Sequence, residues 1–319
     1  MTVMRNPFDA PGQWYKANLH THTTASDGSA TVQERIEQYR ARGYSALAIT
    51  DHDVVSDAAG LSTESFLVID GTELSIKPFG DDRFMDLLCI NVSSDHALPE
   101  DTDMHRVIAQ MKAQGAECFI AHPFWSGNTI RELAPLEGYA GIEVFNSGCE
   151  VIGKGYSSVH WDELLNAGIR TCAIAVDDVH NYDGQFEQFR GWTMLKMPEL
   201  SLPAVVEALR TGCYYSSCGP EILDFRITGG VTSLRCRAAR EIHLVTDYVW
   251  GASFYADAAD LLTELHALRG VEVSFQHADD GYLLSEVQAD LGQECKHVRA
   301  EIVDAEGKRA WSNPLFFRE

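Results

Sequence analysis

Short apolar runs that alternate with amphipathic segments are the feature that most restricts the fold of this chain. Up to about residue 220 these runs have the length and composition of buried strands. They are ALAIT, FLVIDGTEL, DLLCINV, ECFIAHP, GIEVFN and RTCAIAV, at 46–50, 66–74, 86–92, 117–123, 141–146 and 170–176. Segments with helical periodicity, such as TVQERIEQYRARG, lie between several of them and end at glycines typical of helix C-termini. Strands that alternate with helices predict a parallel sheet, either a barrel or a doubly wound sheet.

A different pattern begins after the segment CGPEILDF (218–225). From there polar and apolar residues alternate, as in EIHLVTD (241–247) and YLLSEVQAD (282–290), and DAEG (304–307) is typical of a hairpin turn. This predicts a small antiparallel sheet, to which DAADLLTELHAL could add a helix. We therefore expect two domains, 1–225 and 226–319.

The charge balance restricts the partners. Among 319 residues, 25 are Lys or Arg and 47 are Asp or Glu, so the net charge is −22. Such a surface repels polyanions, which argues against long nucleic acid as a partner. A small anionic substrate remains compatible, because bound divalent cations reverse the local field. Homo-oligomerisation is left open.

Location is predicted from three further features. The N-terminus lacks the apolar core and cleavage site of a signal peptide, and no apolar run reaches membrane-spanning length. The eight cysteines form no Cys-x-x-Cys pair, and several lie in apolar segments. They are therefore expected to be buried free thiols in a reducing compartment, which favours the cytoplasm and no membrane association.

Side chains of the metal-ligand type follow five of the apolar runs, all at the same end of the strand. They are His20 and His22 after KANL, Asp51, His52 and Asp53 after ALAIT, Glu73 after FLVIDGT, His122 after CFIA, and Asp177, Asp178 and His180 after CAIAV. In parallel α/β folds the active site lies at this carboxyl edge. The convergence of five strands predicts a functional site there.

The pair His20 and His22 illustrates the geometry. Residues two apart on a strand face the same way, so both imidazoles converge while Thr21 faces the opposite side. Imidazole nitrogens with carboxylate oxygens, and without clustered thiolates, suit Zn²⁺, Mn²⁺ or Fe²⁺. The ligands outnumber those that one ion can use, which predicts two or three divalent metal ions per chain. A shared carboxylate would hold two ions roughly 3.5–4 Å apart.

These motifs resemble the PHP (polymerase and histidinol phosphatase) superfamily of metal-dependent hydrolases. The matching segments are HTH, SDG, TDHD, GTELS, AHP and DDVH, in this order between residues 20 and 180. Later stretches, GWTMLK, VVEALRTGCYYSSCGPEI and VRAEIVDAEGKRAWSNP, are similar to the CehA/McbA-type branch, in which a C-terminal β domain follows the PHP domain. The resemblance covers almost the whole chain.

The resemblance implies an α/β fold, a distorted (β/α)7 PHP barrel, followed by a small antiparallel β-sandwich-like domain. It also implies three metal sites. His20, His22 and Asp178 would bind the first ion, and Glu73 would bridge to a second ion held by His122. Asp27, His52 and His180 would hold the third. Asp86 stands where PHP members often have a histidine, and it is a further candidate ligand for the second ion.

Other residues are candidates for supporting roles. Asp178 and His180 would move protons during catalysis. Asn146, Arg131 and Lys154 could bind the substrate, because they lie near the same edge. Asp51 and Asp53, which flank His52, are expected to orient ligands. Glu143 is expected to lie within its strand without a role in the site.

The leading functional hypothesis is a phosphoesterase that hydrolyses a small phosphate monoester or diester, with a metal-bridging hydroxide as nucleophile. The first alternative keeps the metals and hydrolyses carboxyl or carbamate esters, as the CehA/McbA-type resemblance implies. The second alternative is an inactive PHP-fold protein that binds a partner through its β domain.

Overall fold

The computed structural model describes residues 4–78, 83–95, 97–99, 103–181, 186–279, 281–292 and 294–317. The chain divides into two compact units. One comprises the residues up to Arg5 together with Pro11–Tyr214, and the other comprises Asn6–Ala10 and the chain from Tyr215 onwards. The first unit is mixed α/β with parallel strands, and the second is built on antiparallel sheets, as the sequence pattern predicts.

The first unit contains strands and helices that alternate over only part of its length. Its strands are β1 (Gln13–Asn18), β2 (Ala46–Ile49), β3 (Leu67–Ile76), β4 (Met85–Ile90), β5 (Glu117–Ile120), β6 (Gly141–Asn146), β7 (Cys172–Val176) and β8 (Trp192–Met197). Its helices are α1 (Val32–Ala41), α2 (Met104–Ala113), α3 (Pro123–Ser126), α4 (Ile130–Leu133), α5 (Ser158–Asn166) and α6 (Leu202–Thr211).

These strands follow one another in a ring, in the order β8-β1-β2-β3-β4-β5-β6-β7. The pairs β1–β2, β2–β3, β5–β6 and β6–β7 are parallel. The two ends of the path lie side by side, because the Thr193 hydroxyl on β8 donates to the Ala175 carbonyl on β7 at 3.2 Å. Carboxyl ends of the parallel strands therefore meet around one rim.

The ring differs from seven regular β/α units, since it has eight strands within the described residues, and β4 and β8 run antiparallel to their neighbours. Residues 77–84, which connect β3 to β4, are too few for a crossover helix, so the chain returns antiparallel. The beginning of β4, with Asp86, consequently lies at the edge where its parallel neighbours end. Asp86 pairs there with Ser75 near the end of β3.

Helix α1 shows how local sequence fixes an element. The Thr31 side chain caps the first turn and Glu34 reaches back to the Thr31 main chain, a capping box that satisfies otherwise unpaired N–H groups. Gly43 follows the helix with φ of +74°, a conformation that favours glycine. Ile36 and Tyr39 on the inner face are buried against β2 and the beginning of β3.

The second unit contains two antiparallel sheets and one helix within the described residues. Its elements are β9 (Tyr214–Ser217), β10 (Ile222–Thr228), β11 (Val231–Ala239), β12 (Glu241–Thr246), β13 (Gly251–Tyr255), α7 (Ala259–Leu268), β14 (Val273–His277), β15 (Leu284–Asp290), β16 (His297–Val303), β17 (Arg309–Ser312) and β18 (Leu315–Phe316). One sheet has the order β13-β12-β16-β17-β9 with β18 beside β16, and the other has β10-β11-β15-β14. The predicted DAEG turn joins β16 to β17 through a bond from the Gly307 N–H to the Asp304 carbonyl.

Two expectations about burial and membranes can be compared with the structure. All eight cysteines are buried and free, as predicted. Among the described residues, none of the helices combines the length and apolar character needed to cross a membrane.

Gly191 permits the close approach of β8 to β7. A Cβ atom there would lie 2.4 Å from the Val176 carbonyl oxygen. We expect Gly191→Ala to lower the free energy of unfolding by about 2–3 kcal/mol, because the two nearest atoms, the carbonyl oxygen and carbon of Val176, are main chain and cannot move without distorting β7. Chemical denaturation measures the change. Gly60→Ala is the control, since its Cβ would meet nothing within 4 Å; similar stability of the two variants would contradict the prediction.

Candidate metal centre

Four buried side chains at the rim form the first group of candidate ligands: His20, His22, Glu73 and Asp178. His20 Nε2 lies 3.0 Å from His22 Nε2 and 3.0 Å from Glu73 Oε2. Asp178 Oδ1 lies 3.0 Å from His22 Nε2 and 3.2 Å from His20 Nε2. Metal–ligand bonds of about 2.0–2.1 Å place the atoms of a tetrahedral shell about 3.3 Å apart, so the spacing suits one ion.

Hydrogen bonding alone does not satisfy this group. The Nδ1 atom of His20 lies 2.6 Å from Glu143 Oε1, which places a proton on that side of the ring and leaves Nε2 as the ligand atom. Asp178 Oδ1 is buried and makes no hydrogen bond to the described residues, although it lies close to His22 and His20. Buried acceptors directed at one point fit a cation between them.

The second group consists of Glu73, Asp86 and His122, all buried. Glu73 Oε1 lies 3.1 Å from His122 Nε2, so the two oxygens of Glu73 face two different groups. Asp86 Oδ2 lies 3.9 Å from the same nitrogen, and Asp86 Oδ1 has no hydrogen-bond partner among the described residues. Burial, together with the nearby Glu73 carboxylate, raises the pKa of Asp86 to about 6. Asp86 therefore occupies the place of a ligand.

The third group adds Asp27, His52 and His180 to His22 and is more open to solvent. Asp27 Oδ2 lies 3.5 Å from His180 Nε2 and 3.7 Å from His52 Nε2. The rings of His22 and His180 stack with centroids 4.2 Å apart. The structure thus brings all eight expected ligands and Asp86 into three adjoining groups.

Protons occupy this cluster in the metal-free protein. Burial by itself lowers the pKa of His22 and of His122, but neighbouring carboxylates outweigh it and raise these pKa values to about 9 and about 10. For His22 the carboxylates are Asp178 and Glu73, and for His122 Glu73 contributes most. Metal binding must displace such protons.

Two ligands have strained main-chain conformations. His122 has φ of +27° and Asp178 has φ of +52°. Non-glycine residues in this region cost about 1–3 kcal/mol each and cluster at functional sites. The strain places both side chains at the rim directly after their strands, where a relaxed extended residue would continue the strand.

Glu143 contacts two candidate ligands, a position that the sequence pattern does not reveal. Besides accepting from His20, it accepts at Oε2 from the His122 N–H and from Asn146 Nδ2, both at 2.8 Å. The register of β6 against β7 shifts between Glu143 and Phe145. This bulge brings Glu143 and Asn146 together, although residues three apart on a regular strand face opposite sides. The signal in the sequence is a carboxylate inside the apolar run GIEVFN.

The three residues expected to bind the substrate are exposed or bonded to other parts of the protein. Asn146 donates through Nδ2 to Glu143 and to Asp178 Oδ2 at 3.0 Å, so it holds Asp178 and has no free amide hydrogen for the substrate. Arg131 is exposed on α4. Lys154 Nζ donates to the Trp125 carbonyl at 3.5 Å. None of the three is among the described residues that line the cavity over the site.

Asp51 and Arg35 hold the main chain of the ligand loops. Asp51 accepts from the Thr23 N–H at 2.7 Å and from the Ser26 hydroxyl at 2.8 Å, which fixes the segment between His22 and Asp27. Arg35 is buried and donates to the carbonyls of His22 and His180. Asp53, by contrast, is exposed. In the sequence Arg35 is only a charged residue on a predicted helix, and nothing indicates its contacts with these carbonyls.

A cavity of about 360 Å³ opens over the three groups. Its described lining comprises Asp27, His52, Glu73, Ser75, Phe84, Asp86, His122, Trp125, Gly148, Cys149, Asp178, His180 and Glu187. The candidate ligands form its floor and polar walls, and two aromatic side chains border it.

Comparison with known proteins supports the resemblance of the motifs. Residues 18–121 match the family model of the PHP domain. This segment is a PHP domain. It contains His20, His22, Asp27, His52, Glu73 and Asp86, whereas His122, Asp178 and His180 follow it in the sequence. The fold brings both sets together, and the finer assignment to the CehA/McbA-type branch stays a prediction.

Two curated proteins match parts of the chain. DNA polymerase/3′-5′ exonuclease PolX of Bacillus subtilis is 29% identical over 147 residues, which are 38% of this chain and 25% of that protein. Phosphoribosyl 1,2-cyclic phosphate 1,2-diphosphodiesterase of Eggerthella lenta is 37% identical over 82 residues, 24% of this chain and 30% of that protein. The chain therefore matches less than a third of the length of either relative.

A solved structure has a fold similar to that of this chain. It is a two-domain protein of Bacteroides vulgatus that contains a predicted PHP-like metal-dependent phosphoesterase, with a TM-score of 0.53 and 17% identity. The match covers 99% of this chain and 100% of that one. The likeness at this level of identity is one of fold.

Proposed function

We propose that this chain is a metal-dependent hydrolase that acts as a phosphoesterase on a small phosphate monoester or diester. The observation that carries the proposal is the first group, in which two imidazole nitrogens and two carboxylate oxygens converge in the spacing of one metal ion. The PHP domain supports it, and so does the similarity to a relative whose name describes a diphosphodiesterase.

The residues fit divalent ions of the Zn²⁺, Mn²⁺ or Fe²⁺ type, because the donors are imidazole and carboxylate, and because Asp86 Oδ1 and Asp178 Oδ1 are buried without a hydrogen-bond partner among the described residues. His20, His22, Glu73 and Asp178 would hold one ion, Glu73, Asp86 and His122 a second, and Asp27, His52 and His180 a third. Bound ions would neutralise phosphoryl charge and make water nucleophilic near neutral pH.

The residues of the chain itself position the reaction and move protons. Asn146 fixes Asp178 Oδ2, so that Oδ1 remains directed into the first group. His180 Nδ1 lies 3.1 Å from the Asp178 carbonyl, which keeps a proton on Nδ1 and leaves Nε2 as the basic atom in the cavity. When no ion occupies the third site, His180 can therefore accept a proton at Nε2, from the attacking water or through Asp178, and, once protonated, donate it to the leaving oxygen.

Metal content and hydrolysis together test this proposal. Elemental mass spectrometry on protein purified without chelator or His-tag should find two or three equivalents of Zn, Mn or Fe per chain. The same protein should hydrolyse members of a broad panel of phosphomonoesters and phosphodiesters. Absence of metal after incubation with excess ions, or no activity on any ester of the panel, would overturn the proposal.

A carboxyl- or carbamate-ester hydrolase is the second candidate. The observation in its favour is that the described cavity lining contains neither Lys nor Arg, which a neutral substrate would not need. Rates on p-nitrophenyl phosphate and p-nitrophenyl acetate distinguish the two candidates. Activity on the acetate alone, abolished by His52→Ala, would favour the second.

Metal removal should lower thermal stability. Without a cation the convergent carboxylates repel one another, and an ion at 100 times its dissociation constant stabilises the folded state by about 2.7 kcal/mol. At about 2–4 °C per kcal/mol, we expect a chelator to lower Tm by about 5–10 °C and added Zn²⁺ or Mn²⁺ to restore it. Differential scanning fluorimetry provides the measurement. The same Tm with and without chelator would contradict the prediction.

A further inference from the structure

Two aromatic side chains form one wall of the cavity over the metal centre. Trp125 and Phe84 line it and are 43% and 37% exposed, large values for apolar side chains of this size. Trp125 lies on α3 directly after His122, and their ring centroids are 5.0 Å apart. Phe84 precedes β4, close to Asp86. Both rings therefore border the second group of candidate ligands.

The position of these rings is fixed by neighbouring contacts. Asn128 Nδ2 donates to the Phe84 carbonyl at 3.2 Å, which ties the segment before β4 to the one after α3. Lys154 donates to the Trp125 carbonyl, and Lys77 Nζ lies 4.6 Å from the Phe84 ring centroid. Both lysines contact the aromatic residues from outside the described cavity lining.

The charged and titrating side chains of the remaining lining are mostly carboxylates and imidazoles, beside Ser75, Gly148 and Cys149. Four candidate ligands are carboxylates, Asp27, Glu73, Asp86 and Asp178, and they cancel four of the six positive charges of three divalent ions. Glu187 adds one more negative charge to the wall. The remaining charge of about +1 offsets the charge of one phosphoryl group at most, whereas a second anionic group of a substrate would meet no Lys or Arg in the described lining.

We propose, on the basis of the phosphoesterase function proposed above, that the substrate joins a single phosphoryl group to an uncharged alcohol with one flat ring. The ring lies against Trp125 and Phe84 while the phosphoryl group lies over the metal centre. Aromatic contact beyond simple burial contributes about two- to tenfold in affinity. A cavity of about 360 Å³ is at the small end for ligand sites, which suits one ring.

The reaction on such a substrate is balanced hydrolysis. Water supplies its oxygen to phosphorus, and the P–O bond to the alcohol breaks. The bonding electrons leave with the alcohol oxygen, which takes a proton, and the second proton of water is released or retained on phosphate. The products are the ring-bearing alcohol and inorganic phosphate, or a phosphomonoester if the substrate is a diester.

Four phosphate esters whose alcohols have comparable acidity test the proposal: benzyl, cyclohexylmethyl, propyl and 4-carboxybenzyl phosphate. If the enzyme accepts only diesters, the methyl diesters of the same alcohols replace them. We expect KM to be lowest for the benzyl ester, about tenfold below that of the propyl ester, and to rise about tenfold with the added carboxylate. Trp125→Ala should raise KM for the benzyl ester about five- to tenfold and KM for the propyl ester by a smaller factor.

Binding without turnover gives an independent readout. Benzylphosphonate should bind more tightly than propylphosphonate in titration calorimetry, and Trp125→Ala or Phe84→Ala should remove the difference. Trp250→Ala is the matched control, because Trp250 is 44% exposed and lies outside the described lining. Equal KM values for benzyl and propyl esters would overturn the inference and leave the proposed function intact. Failure to hydrolyse any ester would contradict the proposed function, and the inference with it.

Discussion

Asp178→Asn should lower kcat for phosphate-ester hydrolysis by about 10³-fold, with the fold preserved. Asp178 Oδ1 belongs to the first group and lacks a hydrogen-bond partner among the described residues, while Oδ2 is fixed by Asn146. An amide has the same shape but removes the negative charge that would hold a cation. Asparagine also tolerates the φ of +52° at this position, so the loss should not come from the backbone. Steady-state kinetics and metal content per chain measure both effects.

Asp53→Asn is a closely matched control for this substitution. Asp53 also has a positive φ, +53°, and it is adjacent to a candidate ligand, but its side chain is exposed. We expect its kcat and metal content to stay within about twofold of wild type, since exposed substitutions outside a site change little. If Asp178→Asn kept more than a tenth of the wild-type kcat, Asp178 would have no role in catalysis.

The sequence predicts which candidate ligands come together because they follow buried strands, whose direction is indicated by the α/β pattern. His20, His22, His122 and Asp178 each stand at the end of an apolar run, and parallel strands bring such ends to one rim. This reasoning needs no knowledge of distances. It also gives the two-part architecture, since alternation of polar and apolar residues replaces continuous apolar runs after about residue 220.

The strand β4 shows where this reasoning fails. The apolar residues of β4 do not indicate the direction of the strand. From the sequence alone, Asp86 at the beginning of β4 could equally be a solvated residue at the edge of the sheet opposite the rim. The short connection from β3 reverses the strand and carries Asp86 to the rim, where it is only 4% exposed. The direction of β4, and therefore the position of Asp86, depends on how the strand pairs with its neighbours in the folded protein.

Residues that support the ligands escape prediction for a related reason. The inward position of Glu143 depends on a bulge in β6, and Arg35 reaches two ligand carbonyls from a helix whose face the periodicity gives only approximately. The position of Asn146 at a strand end predicts a contact with the substrate, yet its side-chain amide donates to Glu143 and Asp178. Such contacts arise from irregular backbone, which period-based reasoning does not describe.

Glu143→Gln should weaken metal affinity by about 10–100-fold, and activity at limiting metal should fall in parallel. The carboxylate accepts from three donors, His20 Nδ1, the His122 N–H and Asn146 Nδ2. An amide of the same size brings an NH₂ group that must face one of these donors, so His20 loses the partner that orients its ring and keeps its proton on Nδ1. Competition titration with a chromogenic chelator measures the affinity, and added metal should restore most of kcat if Glu143 acts through His20.

Glu117→Gln provides the comparison for a buried glutamate without a metal ligand as partner. Glu117 lies on the neighbouring strand β5, is 4% exposed, and pairs with Lys112 at 2.5 Å. Its replacement should change the free energy of unfolding by about 1 kcal/mol or less, because the lysine is accessible to water, and should leave metal affinity unchanged. A purely structural role for Glu143 would instead lower stability in both variants and leave both affinities at the wild-type value. Loss of affinity in Glu143→Gln alone, with rescue by excess metal, identifies Glu143 as the residue that positions His20 for the centre.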